Sequence, residues 1–429
     1  MLLTDPALRT RVLDYFAPIP LERVHGESGD RVALTLETCD VASSSNDHES
    51  YWPRTVCLGA WFSADEAIAF DKVFVRLSSL HPWTAVSGFE PKWFMIPPAE
   101  GETVTQNFTR PPDHRAELRD GTVIKLSFPL RERTEGLYTF EKTFTQATRF
   151  VFEFPEPREL EHVQSVVFTL RNLLTLAVGE AVRVTELVGY RNPMPTEQLP
   201  IGREAEILYQ HLENPHAREL PHHHHMVFVL PDMAERFEHH MAQWFDHASE
   251  LGRVLDLYFA TLHVAFVYLE TRFMNFAQAI EGYHRRRLNR LAYSEETFEA
   301  YTASILEHVS GRPRRLAKKA LRHANEVSLE ERLKDVLQLL NDSGLSVLVA
   351  GKVTADAFAR RAAEIRNIYA HNLTGEEPEQ PELVVLTYQL KTLVEALFLH
   401  EIGFEPRAID KMLRDARRYQ LIRSMRARW

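Results

Sequence analysis

Three side chains near the end of one predicted helix have the chemistry to act on a phosphodiester. Arg366, Asn367 and His371 lie within six residues of one another, and a helix places Asn367 beside His371 because they are four positions apart. Imidazole titrates near neutrality, so it can accept or donate a proton. Guanidinium stays charged and can bind two phosphate oxygens at once. This set fits cleavage of RNA by its own 2′-hydroxyl without a metal; a merely solvated helix face is the alternative that the spacing leaves open.

The element that must position these residues is a helix predicted over Thr354–Asn372. Thr354 can cap its first turn, and Gly375 lies just beyond its end. Apolar residues at helical spacing predict a buried stripe made of Phe358, Ala362, Ile365 and Tyr369. The three polar residues then lie on the opposite side of the helix.

Hydrophobic periodicity divides the chain into two parts. The first part shows the alternation and the β-branched and aromatic residues that are typical of strands. The predicted strands are Arg31–Thr38, Thr55–Phe62, Lys72–Leu80, Thr122–Phe128, Leu137–Phe154, Arg183–Tyr190 and Met226–Leu230. Within this part, Leu160–Val182 has helical spacing and predicts a helix packed on the sheet.

The second part has a period of 3.6 residues. The predicted helices are Ala234–Gly282, Glu295–Val309, Leu329–Leu340, Thr354–Asn372 and Pro381–Gly403, with a final segment to Trp429. We therefore predict an α+β protein, with a mainly-β domain and its packed helix over residues 1–230 and an all-α domain over residues 231–429.

Composition indicates a globular protein of 429 residues, with 45% hydrophobic and 26% charged residues. The net charge of −10 comes from the first part, and the helical part is close to neutral, which leaves room there for a local basic surface. Cys39 and Cys57 are expected to be buried thiols rather than a disulfide. With no signal peptide and no long apolar run, the chain is expected in the cytoplasm and not in a membrane.

The motif Arg366-Asn367-Ile368-Tyr369-Ala370-His371 has the form R-N-x-x-x-H and resembles the motif of HEPN ribonucleases. Leu269–Phe273 and Ala279–Arg286 are similar to an earlier helix of the ApeA-type HEPN domain of bacterial anti-phage systems. Gly59–Phe62 and Val75–Leu80 resemble the N-terminal domain that accompanies it. The likeness covers most of the chain, and the motif within a late helix of an all-helical domain is its most specific part.

This resemblance implies a homodimer through the HEPN domain, in which two motif helices face each other and form a composite RNA site. It implies an endoribonuclease that cleaves tRNA, leaves a 2′,3′-cyclic phosphate and acts as a toxin in abortive infection. His371 would be the general acid/base, Arg366 would bind the phosphate, and Asn367 would orient one of them; these roles could be exchanged without contradicting the sequence. A carboxylate from an earlier helix joins some HEPN sites; Glu270 and Glu281 are the candidates. The N-terminal domain would sense a trigger such as a phage protein.

Several other features of the sequence have both a structural and a functional interpretation. Basic clusters at His284–Arg290, Arg312–His323 and Lys411–Arg428 could contact phosphates or be solvated helix faces. His222–His225 is predicted to be a polar loop rather than a metal site. Three tryptophans, which are expected in the core rather than in a ligand groove, are Trp61, Trp83 and Trp93.

No glycine-rich phosphate loop and no paired-aspartate nucleotidyltransferase signature occurs, so neither a cofactor nor a metal is predicted. The alternative to a ribonuclease is a non-catalytic dimeric HEPN protein that binds nucleic acid or regulates a partner.

Overall fold

A computed structural model of the chain describes residues 2–3, 21–44, 49–91, 105–134, 142–192, 203–209, 222–264, 266–340, 354–371 and 377–416. The chain forms two compact units, Met1–Ala242 and Gln243–Trp429, which we call the sheet unit and the helical unit. Antiparallel strands precede the helices, which confirms the predicted α+β class. The predicted domain boundary between residues 230 and 231 stays a prediction.

The sheet unit is built on one antiparallel sheet of ten strands, in the order β1-β2-β3-β4-β12-β11-β5-β10-β7-β6, and a separate hairpin, β8–β9. The strands are β1 Leu2–Leu3, β2 Leu21–Glu27, β3 Ala33–Ser44, β4 Glu49–Leu58, β5 Ala69–Leu77, β6 His114–Glu117, β7 Val123–Ser127, β8 Leu130–Thr134, β9 Lys142–Gln146, β10 Arg149–Glu159, β11 Val184–Arg191 and β12 Arg203–Tyr209.

A helix covers one face of this sheet, as predicted. Helix α2, Leu160–Val178, contacts β5 and β10, whose alternate residues are buried because strand side chains point to opposite faces. The buried residues of α2 include all five that the spacing selected: Val163, Val167, Leu170, Leu174 and Val178. The helix ends four residues earlier than predicted because Gly179 adopts φ 80° and terminates it.

The predicted strand Met226–Leu230 is wrong. Its residues lie between a 3₁₀ turn, His223–His225, and helix α3, Leu230–Met233. Met226 and Phe228 are buried, and the amide of Val227 donates to the carbonyl of Ala177 at 2.7 Å. A short apolar run is compatible with a buried strand or with a buried loop, and in this structure it forms a buried loop.

Three further elements of the sheet unit are helical. They are α1 Leu80–Thr84, the 3₁₀ turn Ala234–Arg236 and α4 Phe237–Leu251, which crosses the division between the units. Cys39 and Cys57 are free and fully buried, as predicted. Burial raises the pKa of Cys39 to about 11 and that of Cys57 to about 12.

The helical unit contains α5 Arg253–His263, α6 Leu269–Arg287, α7 Glu295–Glu307, α8 Gly311–Leu321, α9 Leu329–Leu339, α10 Ala355–His371, α11 Gln380–Glu401 and α12 Pro406–Asp415. The single helix predicted over Ala234–Gly282 is instead split among α4, α5 and α6. Gly252, with φ 42°, separates the first two. Helix α8 was not predicted, because Gly311 and Pro313 suggested a loop.

Helix α6 is the centre of the helical unit, since it packs against α5, α9, α10 and α11. Helix α11 is long and apolar enough to cross a membrane, but 72% of its most apolar window is buried within the fold. Such burial is expected for the core helix of a globular domain. It is therefore weak support for a membrane span.

Candidate active site

Helix α10 carries the candidate residues and has the phase that the sequence predicted. Thr354 caps it, because the hydroxyl of Thr354 accepts from the amide of Ala357 at 3.2 Å. The helix buries Phe358, Ala359, Ala362 and Ile365. Its last aromatic residue, Tyr369, is half-buried.

Tyr369 packs edge-on against Phe273 of α6, with ring centroids 6.2 Å apart. Burial, together with the negative charge of Glu270, raises the pKa of Tyr369. These contacts fix the end of α10 on α6. Asn367 and His371 are exposed, but Arg366 is not opposite the buried stripe as predicted, because it lies at the edge of that stripe and faces α6.

Arg366 is held by two neighbours. Its Nη2 lies 2.7 Å from Oε1 of Glu281 on α6, and its Nη1 donates to Oδ1 of Asn367 at 3.1 Å. Only 23% of the Arg366 side chain and 14% of the Glu281 side chain are exposed, so this ion pair is partly shielded from solvent and is stronger than a surface pair. The guanidinium therefore has a defined position and retains donors for a further anion.

His371 occupies the last position of α10, and its side chain is exposed. It is five residues beyond Arg366, which on a helix amounts to about 7.5 Å along the axis and about 140° around it. Among the residues that the structure describes, His371 forms no hydrogen bond with Arg366 or Asn367. The structure thus brings Arg366 and Asn367 together and leaves His371 accessible one turn beyond Asn367.

A cleft of about 580 Å³ opens beside Arg366 and Asn367. Its charged lining residues are Glu281, Arg285, Glu326, Glu330, Arg332, Arg360, Glu364 and Arg366, and His371 is not among the lining residues. Cations and carboxylates are equal in number along this wall. The cleft is therefore polar and offers guanidinium groups at fixed positions rather than a uniformly positive surface.

Behind the cleft, a buried polar network joins α6 to α9. His284 is fully buried; its Nδ1 accepts from Nη1 of Arg332 at 3.1 Å and its Nε2 contacts Oδ2 of Asp335 at 2.8 Å. Burial lowers the pKa of His284, and the hydrogen bond to Asp335 opposes that change. This arrangement fits a neutral imidazole with its proton on Nε2.

Sequence reasoning missed this network, although its signal is present. In α9, Leu333, Val336 and Leu337 form the buried stripe, and Arg332 is buried with them. A charged residue inside an apolar stripe needs a polar partner within the fold, and His284 in the stripe of α6 is that partner.

The two carboxylate candidates have different environments. Glu281 contacts Arg366, as described above, whereas Glu270 lies near the start of α6 and affects Tyr369 by its charge.

The basic clusters also differ. In His284–Arg290, Arg285 pairs with Glu326 and Arg287 with Glu401, so most of this cluster is neutralised within the fold. In Arg312–His323, by contrast, α8 presents exposed cations along its length. The third cluster, Lys411–Arg428, lies largely outside the described residues.

The histidine run and the tryptophans lie in the sheet unit. Ring nitrogens of His222, His223 and His224 lie within 4.8 Å of one another, and this is the one group of metal-ligand type found within the described ranges. Trp83 is a core residue, as predicted. The core prediction is wrong for Trp61, which is 54% exposed and donates from its indole nitrogen to the carbonyl of Gly26. Trp93 lies outside the described residues. The tryptophans are therefore not gathered into a groove by the described part of the chain.

Family comparisons place both units in known domain families. A family model for Apea-like HEPN matches residues 274–407 and includes the whole of α10. A second one, for ApeA N-terminal domain 1, matches residues 16–244, more than half of the chain. Neither a curated protein nor a solved structure gives a significant match. The chain therefore belongs to the ApeA-type HEPN family, a nuclease family of anti-phage defence.

Proposed function

We propose that this protein is a metal-independent endoribonuclease that cleaves tRNA during abortive infection. The observation that carries the proposal is the position of Arg366, which is fixed by Glu281 and Asn367 at the edge of a cleft, on a helix that ends at an exposed His371. Arg366 binds the scissile phosphate, His371 is the general acid/base, and Asn367 orients the guanidinium to which it is hydrogen-bonded.

The reaction needs only the substrate and these side chains. The 2′-oxygen attacks the adjacent phosphorus while the imidazole of His371 accepts its proton. The bond from phosphorus to the 5′-oxygen breaks, the 5′-oxygen takes up a proton from protonated His371, and a 2′,3′-cyclic phosphate remains. Arg366 stabilises the charge that develops on the phosphoryl oxygens.

The angle between Arg366 and His371 around the axis of α10 supports a homodimer. Side chains about 140° apart on one helix point in different directions, so a single α10 does not readily present both Arg366 and His371 to one phosphate. Two α10 helices that face each other across a two-fold axis would bring one copy's His371 towards the other copy's Arg366. Each site would then contain residues of both chains.

Helix α8 supports RNA as the substrate. It and the residue that follows it contain six cations and no acidic residue: Arg312, Arg314, Arg315, Lys318, Lys319 and Arg322. A basic stripe on a protein of net charge −10 points to a polyanionic partner. Cleavage at low substrate concentration should therefore weaken steeply as salt rises.

The decisive experiment compares wild-type protein with Arg366→Ala and His371→Ala on total tRNA, with and without EDTA, and in phage-infected cells. Loss of the general base or of the phosphate ligand should reduce the cleavage rate by at least about 100-fold, without effect of EDTA on the wild type. Product 3′ ends should resist tailing until they are treated with a phosphatase that opens cyclic phosphates. His308→Ala is the matched control, because His308 is exposed on the same unit and hydrogen-bonds to its own helix.

Two results would contradict this proposal. If both variants protect cells from phage as well as the wild type does, the protein is a binding or regulatory HEPN protein. If EDTA stops the reaction, the metal-free mechanism is wrong.

Glu281→Gln tests whether Glu281 positions Arg366 rather than taking part in the proton transfer itself. The amide keeps the shape of the side chain but removes the ion pair with Arg366, so we expect a smaller loss of rate, about tenfold, with KM affected more than in the His371→Ala variant.

A further inference from the structure

A second concave site, unrelated to the motif, lies in the sheet unit. A cavity of about 360 Å³ is formed by the hairpin β8–β9 and Arg76 of β5, and we call it the arginine cavity. From the hairpin it receives Arg131, Arg133, Thr143 and Thr145. Guanidinium and hydroxyl groups are the side chains that bind phosphate oxygens most readily.

The register of the hairpin explains why these four residues share one face. Arg131 pairs with Thr145, and Arg133 pairs with Thr143. Because alternate strand residues point to the same side, both arginines and both threonines face the cavity together. Glu132, which also lines it, is neutralised by Lys142 at 2.7 Å.

On the sheet side, the guanidinium groups of Arg76, Arg131 and Arg149 lie near one another. Arg76 and Arg131 share a single carboxylate, Glu186, at 3.1 Å each. Nearby Arg149 lies over the ring of Phe74, 4.3 Å from the centroid. Burial, and then the positive charge of Arg131, lowers the pKa of Arg149. Guanidinium groups held close enough to repel each other would be stabilised by an added anion.

The arginine cavity adjoins a larger cleft, because Arg76 and Arg131 line both. This cleft measures about 960 Å³ and has an apolar part that includes Leu58, Leu80 and Val188. Three carboxylates also line it: Glu186, which pairs with Arg76 and Arg131, and Glu204 and Glu206. Cavities of these sizes suit ligands of a few hundred daltons.

We propose that the arginine cavity and the adjoining cleft together bind a nucleotide. Its phosphates contact Arg76, Arg131 and Arg133, and its base lies on the apolar part of the cleft. Hydroxyl and amino groups of the sugar and base donate to Glu204 and Glu206. An acidic peptide would instead place carboxylates along the whole site, next to Glu204 and Glu206, and like charges there are unfavourable.

Calorimetric titration of the full chain tests this assignment. ATP, GTP, CTP and UTP are titrated in turn, with inorganic phosphate, adenosine and a poly-glutamate peptide as comparison ligands. At least one nucleotide should bind tenfold or more tightly than phosphate and adenosine. Arg131→Ala and Arg133→Ala should each raise the Kd of that nucleotide by about tenfold, since each removes a charged hydrogen bond.

Arg115→Ala is the matched control. Arg115 lies in β6, is 55% exposed and pairs with Glu117 of the same strand, so its loss should leave nucleotide affinity unchanged. Thermal unfolding without ligand establishes that the variants remain folded.

Three outcomes would overturn the proposal. The first is unchanged nucleotide affinity in folded Arg131→Ala and Arg133→Ala. The second is phosphate binding as tightly as every nucleotide, which would reduce the site to a bare anion site. The third is poly-glutamate binding more tightly than every nucleotide, which would make it a protein-binding surface.

Discussion

The charged pairs that we compare in the two units differ in their exposure to solvent. In the sheet unit, the pairs on the sheet face, Lys72–Glu153 and Arg76–Glu186, leave both side chains about a third exposed. In the helical unit, Glu401 is only 6% exposed and pairs with Arg287, and His284 and Arg332 are buried together. These two sheet-face pairs are thus accessible to solvent, whereas the helical unit buries charged groups around α6.

This difference matters because α6 supports the candidate site. Glu281, which contacts Arg366, lies on α6 between the residues that bind Glu401 and the residues that contact α10. Buried charged groups are costly unless they are fully paired, so they define one arrangement of helices more sharply than apolar contacts do. We infer that the polar interior of the helical unit helps to keep Arg366 in place.

Arg287→Ala is the substitution for which we expect the largest difference in stability between the two units. Arg287 makes hydrogen bonds of 2.7 to 3.1 Å to both carboxylate oxygens of Glu401, so its loss leaves a buried carboxylate short of partners and should cost about 3–5 kcal/mol. Amide hydrogen exchange should show lost protection in α6 and α11. Arg76→Ala, the matched change in the sheet unit, should cost less than about 1 kcal/mol. Equal losses in the two units would contradict the comparison.

A smaller effect is expected at the other buried carboxylate of α11. Tyr258 donates to Oε1 of Glu395 at 2.5 Å, and Glu395 is 1% exposed. Tyr258→Phe removes that donor and should lower the free energy of unfolding of the helical unit by about 1–3 kcal/mol. Tyr293→Phe is the control because Tyr293 is 51% exposed, and we expect a change within about 0.5 kcal/mol. A loss of similar size in the control would assign the effect to something other than burial.

The sequence predicts those features of the structure that depend on residues close together in the chain, and it fails for features that depend on distant residues. Helix α10 was predicted closely, because its cap and apolar stripe are local features of Thr354–Asn372. Helix α8 was missed because Gly311 and Pro313 were interpreted as breakers, although both fit the first turn of a helix. The strand at Met226–Leu230 was wrong because a short apolar run does not specify its own conformation.

The site itself was only partly predictable. Periodicity places Arg366, Asn367 and His371 on one helix, but it gives no distance between Arg366 and a carboxylate 85 positions away. Both Glu270 and Glu281 were therefore candidates, and only the packing of α6 on α10 distinguishes them. The cleft and its arginines depend on the same tertiary packing.

The last and smallest effect concerns pH. Burial holds the pKa of His284 below its ordinary value, whereas in the unfolded chain it is about 6.5. Below pH 6.5 the unfolded chain binds a proton that the folded chain does not, so this contribution to stability is present above pH 6.5 and is lost as the pH falls below it.

His284→Gln tests that contribution, because the amide can still donate to Asp335 and accept from Arg332 but does not titrate. Chemical denaturation at pH 7.5 and 5.5 should show that the wild type loses up to about 1 kcal/mol more than the variant. Arg290 also donates to Asp335, at 2.6 Å, and its charge is constant over this range, so the difference between the two proteins isolates the imidazole. Parallel pH dependence in both would mean that the pKa of His284 is the same in the folded and the unfolded chain, and burial would then not disfavour its charged form.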